Sequence, residues 1–232
     1  MGNYNQELKE NIKTEMWSSY AKTFVEYIYL KKFRKKNDIV KIKGEEILQK
    51  IIKKNKPVIF VSGHFANFEL MSMELTKRNI KLATIYRPLN NFFINPVMEH
   101  VRRKYVCKNQ IKKGIAGVKS AIKYIKNNSS VALMIDQRVS EGKKLSLFGH
   151  MAFTTTLPSQ LAFKYQLDVV PIYIFRKAND DFEIEIYEPI QILNKEVSET
   201  NKLDLAIKLN KIIEEMITRN PGQWIWTHNR WK

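Results

Sequence analysis

Five apolar runs of strand length punctuate the chain, separated by stretches whose apolar residues recur at helical spacing. Pro57 opens Val58, Ile59, Phe60 and Val61, and Ser62-Gly63 closes the run, which reads as a strand buried on both faces. Phe68, Met71 and Leu75 then recur at intervals of three and four, the mark of one helix face, before residues 82–86 return to a strand pattern that ends at Arg87-Pro88. The unit repeats: Ile115, Val118, Ile122 and Ile125 predict a helix, and residues 131–135 predict a strand stopping at Asp136. Residues 169–175 and the alternating Phe182, Ile184 and Ile186 predict two more strands, and residues 203–217 a long helix stopped before Pro221. Helices alternating with buried strands indicate an α/β fold. Upstream, Trp17, Tyr20, Phe24, Tyr27 and Ile28 place an aromatic face on a helix over 7–32, followed by a short helix over 44–54. This divides the chain into a basic, amphipathic helical segment, 1–56, and a sheet-bearing domain, 57–232, the two forming one continuous unit.

Composition narrows the classes of function. The chain has 232 residues, 44% of them hydrophobic, so it can bury a full core without metal or disulfide staples, and wholesale disorder is excluded. No apolar run approaches the roughly 20 residues of a membrane span. Cys107 is the only cysteine, which permits no internal disulfide and fits a reducing compartment. The net charge of +17 calls for an anionic partner: nucleic acid, lipid headgroups or an acidic protein. That charge is concentrated. Arg102, Arg103, Lys104, Lys108, Lys112, Lys113, Lys119, Lys123 and Lys126 fall between His100 and Ile135 with no acid among them, and Lys31, Lys32, Arg34, Lys35 and Lys36 follow the aromatic helix. Aromatic residues leading into lysines suit an interfacial helix, and a core-facing helix gives the same pattern.

In α/β sheets, functional groups gather at the carboxyl ends of strands, which here are followed by His64, Arg87 and Asp136. His64 and Glu69 flank a strand-to-helix turn. With His64 in the turn and Glu69 on the helix, the carboxylate is expected to accept a hydrogen bond from one imidazole nitrogen and leave the other free as a base. No Gly-x-Ser-x-Gly elbow occurs and Cys107 stands in no recognisable catalytic context, so the nucleophile is expected to be a hydroxyl of the substrate. The four histidines show no metal-ligand spacing, and no phosphate-binding glycine loop occurs, so neither a metal nor a nucleotide cofactor is expected.

Across nearly its whole length the sequence resembles the late acyltransferases of lipid A biosynthesis, the lauroyl and myristoyl transferases of Gram-negative bacteria. Residues 63–69 match that family's His-x4-Glu motif, with Glu69 where the related glycerol-3-phosphate acyltransferases carry Asp. Further matches are Tyr86-Arg87-Pro88 with Asn90-Asn91, the basic segment 102–105, Asp136-Gln137, Phe148-Gly149, Thr154-Thr155-Thr156 and the terminal residues 224–232. The resemblance implies a three-layer sandwich whose mixed, mostly parallel sheet is flanked by helices, as in glycerolipid acyltransferases. It further implies His64 as general base, Glu69 as its partner, and Arg102 or Arg103 together with Asp136 completing the catalytic site. Arg87, Asn67, Gln137 and Lys104 are the implied substrate contacts. The implied reaction moves a fatty acyl group from acyl carrier protein to a hydroxyl of a phosphorylated lipid A precursor, at the cytoplasmic face of the inner membrane. Both substrates are anionic, which gives the basic segment two clients, and an anionic membrane surface is a third.

Three features depart from the family pattern. Members usually begin with an N-terminal membrane helix that these residues do not match, so either the sequence is truncated or its start misplaced, or the protein associates with the membrane peripherally. Arg138 stands where a polar or acidic residue is common, which bears on phosphate contacts near the site, and Leu157 where a glycine is common, which reshapes the acyl pocket and leaves acyl-chain preference open. Competing readings are an acyltransferase for another glycolipid, such as a phosphatidylinositol mannoside, or for a glycerophosphate, and, from a different class, a basic nucleic-acid-binding protein. No nucleic-acid reader motif occurs, so no nucleic-acid partner is expected.

Overall fold

The computed structural model describes residues 5–36, 38–193 and 197–232. Its centre is a run of buried parallel strands: β2 (Ile59–Ser62), flanked by β5 (Ser130–Met134) and β8 (Val169–Arg176), with β3 (Leu82–Tyr86) beyond β5. Almost every residue of β2, β5 and β8 is buried, so both faces of this part of the sheet are covered. The edges are more polar. β4 (Asn109–Lys112) closes one side against β3, while β9 (Phe182–Ile186) turns back antiparallel on β8 and pairs in parallel with β1 (Val40–Lys43). The result is the expected α/β architecture, a mixed, mostly parallel seven-stranded sheet in the order β1-β9-β8-β2-β5-β3-β4.

Edge position explains which strands hydrophobic patterning misses. β1 reads Val-Lys-Ile-Lys and β4 reads Asn-Gln-Ile-Lys; each has a single neighbour and a partly wet face, so neither carries an apolar run. β1 is also the contribution of residues before Pro57 to the main sheet. A separate antiparallel hairpin, β6 (Lys143–Leu147) with β7 (His150–Thr154), is likewise absent from the sequence reading.

Helices α1 (Gln6–Glu26), α2 (Leu30–Lys35) and α3 (Glu45–Lys54) precede β2; α4 (Glu69–Lys77) links β2 to β3. α5 (Ile94–Val101) runs into a π-helical turn, Arg102–Val106, ahead of β4; α6 (Ile115–Lys126), α7 (Leu157–Tyr165) and α8 (Glu199–Arg219) complete the layers.

The expected helix over 7–32 is broken by a 3-10 turn at Tyr27–Tyr29, and its aromatic face packs inward only at its far end, where Tyr27 meets the core. Trp17, Tyr20, Phe24 and Tyr27 form a ladder of ring contacts along the helix, with Trp17 and Phe24 exposed. The helix is seated by its other edge. Met16 and Thr23 are buried, the Thr23 hydroxyl donates to the Ala66 carbonyl (3.0 Å), and Glu26 accepts both Arg176 Nη1 (2.6 Å) and Nη2 (3.0 Å). Asn67 Nδ2 donates to the same carboxylate at 2.8 Å. This largely dry clamp fastens α1 to the turn that carries His64. Among the described residues, no helix is long and apolar enough to cross a membrane.

Candidate active site

β2 and β5 run in parallel with Ser62 opposite Met134, so residues two positions further along each strand emerge side by side. Those residues are His64 and Asp136. His64 Nδ1 lies 2.8 Å from Asp136 Oδ1, and Asp136 Oδ2 accepts the His64 backbone N–H and the indole Nε1–H of Trp224, each at 2.8 Å. Asp136 is 1% exposed. Burial alone would raise the pKa of its carboxyl, but attraction to the His64 imidazole and these hydrogen bonds prevail and hold it down at about 2. The carboxylate therefore stays charged, accepts Nδ1–H and leaves the Nε2 lone pair outward. The side-chain amide of Gln137 meets Nε2 at 3.4 Å, and the edge of the Phe68 ring packs on the imidazole.

This corrects the expected pairing: the carboxylate on His64 is Asp136, and neither ring nitrogen bonds Glu69. The turn between them supplies the reason. Ala66 adopts a positive φ of 41° and Phe65 bridges to Trp224, so the chain swings before α4 begins, and Glu69 at the start of that helix faces away towards Arg102. Glu69 Oε1 accepts Arg102 Nε (2.8 Å) and Nη2 (2.6 Å), together with a short hydrogen bond from the Tyr27 hydroxyl. Both charged residues of this corner are buried. Burial works against the Arg102 charge, but Glu69 outweighs it and keeps the guanidinium protonated; burial and Glu69 together push the Tyr27 phenol upward, so it remains a donor. The Tyr27 and Tyr86 rings each lie 5.7 Å from the guanidinium carbon. Arg102 Nη1 is buried and has no protein partner among the described residues.

The π-helical turn gives the two neighbouring arginines opposite environments. Its wider winding, closed by Cys107 N–H to the Arg102 carbonyl (2.9 Å), points Arg102 inward and leaves Arg103 exposed. Lys104 is also exposed, with its ammonium over Tyr105. Asn67, expected at the substrate, is fully buried and bonded to Glu26, so it braces the His64 turn and presents no surface to a ligand. Arg87 leaves the end of β3 exposed, and the Lys113 backbone N–H donates to the Tyr86 carbonyl at 2.8 Å, which puts Arg87 and Lys113 on neighbouring strand ends.

Sequence reasoning assigned no role to the chain's last turns. Residues 223–230 fold back over the site: the Ala66 backbone N–H donates to the Gln223 carbonyl (2.9 Å) and Ile225 N–H to the His64 carbonyl (3.2 Å). Trp224, 1% exposed, is the second anchor of Asp136. His228 is depressed in pKa first by burial and then by His64, opposed by Asp136, with Arg87 and Lys113 adding to the depression; the bases therefore crowd one edge of the site. Arg230 is fully buried, donating to Thr154 Oγ1 (2.9 Å) and Asn210 Oδ1 (3.2 Å), and ties this segment to β7 and α8. The sequence signals for this segment are the density of tryptophan and basic residues at 224–232 and its match to the family pattern, neither of which assigns these roles.

An imidazole held on a buried carboxylate with its second nitrogen turned outward, and with no nucleophilic side chain bonded to it among the described residues, is an arrangement able to accept a proton from a bound group. The chain is similar to lipid A biosynthesis acyltransferase 2 of Shigella flexneri, 27% identical over 189 residues, covering 79% of this chain and 58% of that protein. It is also similar to the lipid A biosynthesis palmitoleoyltransferase of Escherichia coli (strain K12), 28% identical over 199 residues, covering 82% of this chain and 61% of that one. The matched part thus spans about three-fifths of the length of these relatives. A family model described as bacterial lipid A biosynthesis acyltransferase matches residues 1–232, and the chain belongs to that family.

Proposed function

We propose that the protein transfers a fatty acyl group from the thioester of acyl carrier protein to a hydroxyl of a phosphorylated glycolipid of the lipid A class. The observation that carries this reading is the His64–Asp136 pair: Nδ1–H is fixed on a buried carboxylate, and Nε2 is presented beyond the carboxyl end of β2. Nε2 takes the proton of the acceptor hydroxyl as its oxygen attacks the thioester carbonyl, and Asp136 stabilises the imidazolium that forms. The tetrahedral intermediate then collapses, and the proton passes from His64 to the departing thiolate. The Gln137 amide lies where it can hand Nε2 over to the incoming hydroxyl. Arg102, braced by Glu69 and Tyr27, keeps Nη1 free to bind developing negative charge at the oxyanion or on the substrate. Arg87 and Lys113 supply cations for the acceptor's phosphate. The family resemblance and the +17 net charge support the choice of anionic substrates.

The test is incubation of the purified protein with acyl carrier protein thioesters and a panel of acceptors: a lipid A precursor, a phosphatidylinositol mannoside and a glycerophosphate. Mass spectrometry should show one added acyl chain on the lipid A precursor. Acylation of a different acceptor in its place would overturn the substrate assignment, and no transfer to any acceptor would overturn the reaction.

A further inference from the structure

We propose that α5 and the residues leading into it are the surface by which the protein docks on an anionic lipid bilayer. Phe92 and Phe93 are each 84% exposed, Val97 62% and Ile94 46%, the densest group of exposed apolar side chains outside α1 and the turn that follows it. They are held out by structure. Asn91 Oδ1 accepts the backbone N–H groups of Phe93 (3.0 Å) and Ile94 (3.1 Å), Asn95 Oδ1 accepts that of Leu89 (2.8 Å), and the two phenyl rings pack edge-on at 6.1 Å. α5 is anchored to the body of the protein by buried Met98.

Further along the same element the exposed side chains change character to His100, Arg103 and Lys104. Aromatic and aliphatic groups at one end and cations at the other fit a bilayer boundary, with rings at the edge of the acyl region and charges at the lipid phosphates. Charge complementarity selects this occupant. A second copy would bring the exposed cations beside this patch, Arg103 and Lys104, against the same cations of another chain of net charge +17, and an acidic protein would leave the phenylalanine pair unexplained. The buried side of the same element carries Arg102 to Glu69, so docking through the exposed side would set the catalytic corner at the level where lipid acceptors reside.

The test is flotation of the full chain with phosphatidylglycerol–phosphatidylcholine vesicles and with phosphatidylcholine vesicles. The wild type should bind the anionic vesicles, and Phe92→Ser/Phe93→Ser should lower the partition coefficient at least ~10-fold, as expected for withdrawing two buried aromatic rings. Arg103→Gln/Lys104→Gln should weaken binding to anionic vesicles and leave binding to neutral ones unchanged. Trp17→Ser, on the aromatic ladder of α1, should bind like the wild type. Undiminished binding by the phenylalanine variant, loss confined to the Trp17 variant, or loss of self-association or of acyl carrier protein binding in place of vesicle binding would each overturn the proposal. Acyl transfer to detergent-dispersed acceptor, unchanged in the phenylalanine variant, separates failure of docking from failure of the acyltransferase reading on which the catalytic consequence rests.

Discussion

Replacing Asp136 by Asn removes a charge and keeps the shape, so it isolates what that carboxylate does. The folded protein holds this carboxyl at about 2 against an ordinary 3.8, a gap worth on the order of 2 kcal/mol. Because the folded-state value is depressed, the unfolded chain binds the proton more readily between these limits. The stabilisation is therefore complete above about pH 4 and is lost as pH falls towards 2. The variant also disturbs the tautomer. An amide NH2 facing Nδ1 drives the imidazole proton to Nε2, the nitrogen needed as base, and an Asp-to-Asn exchange of this kind costs about 10⁴ in rate where a His–Asp pair acts on a hydroxyl. Denaturant melts of wild type and Asp136→Asn between pH 7 and pH 2.5, read as a difference, should show a gap that narrows as the pH drops; initial rates of acyl transfer should fall by at least ~10³. A stability gap independent of pH, or a variant of near wild-type rate, would refute the assignment of Asp136 to His64.

Further tests address the supports of this pair. At Gly63 a Cβ would lie 2.7 Å from the Phe65 ring and 3.2 Å from Asp136 Cβ; since Phe65 is fully buried, Gly63→Ala should cost about 1–3 kcal/mol in a thermal melt and displace His64 enough to slow transfer. Glu69→Gln should leave the downfield proton resonance of the Nδ1–H to Asp136 bond in place, although it lowers activity through Arg102, whereas Asp136→Asn should abolish that resonance. Loss of the resonance in Glu69→Gln would restore Glu69 as the partner of His64. Glu26→Gln leaves the mostly buried Arg176 charge with only the exposed Asp180 carboxylate at 3.8 Å and should destabilise by about 2–4 kcal/mol, with the double variant Glu26→Gln/Arg176→Met recovering part of the loss in denaturant titrations.

The central strands were legible because burial on both faces leaves an apolar run, and β2, β5 and β8 occur within one residue of the expected positions; β3 and β9 occur at the expected residues, β9 through alternation and not through an unbroken run. The same logic fails for β1 and β4, whose edge positions admit lysine, asparagine and glutamine. His64, Asp136 and Arg87 were legible as residues following strand ends, but which carboxylate meets the imidazole was not. Sequence proximity favoured Glu69, whereas the parallel register of β2 and β5 sets Asp136 beside His64 across 72 residues of chain. Helical periodicity could not choose between Arg102 and Arg103, because the turn carrying them is wound as a π-helix. Trp224 bonds Asp136 from 88 residues away, through a fold-back for which local patterning offers no signal.

The most direct test of the central claim is the initial rate of acyl transfer to a lipid A precursor by His64→Ala beside the wild type, with acceptor binding measured on the same preparations. A general base predicts unchanged binding and a rate lowered by at least ~10²–10⁴. Transfer by the variant at the wild-type rate would mean that the hydroxyl loses its proton elsewhere, and the roles given to His64 and Asp136 would be wrong.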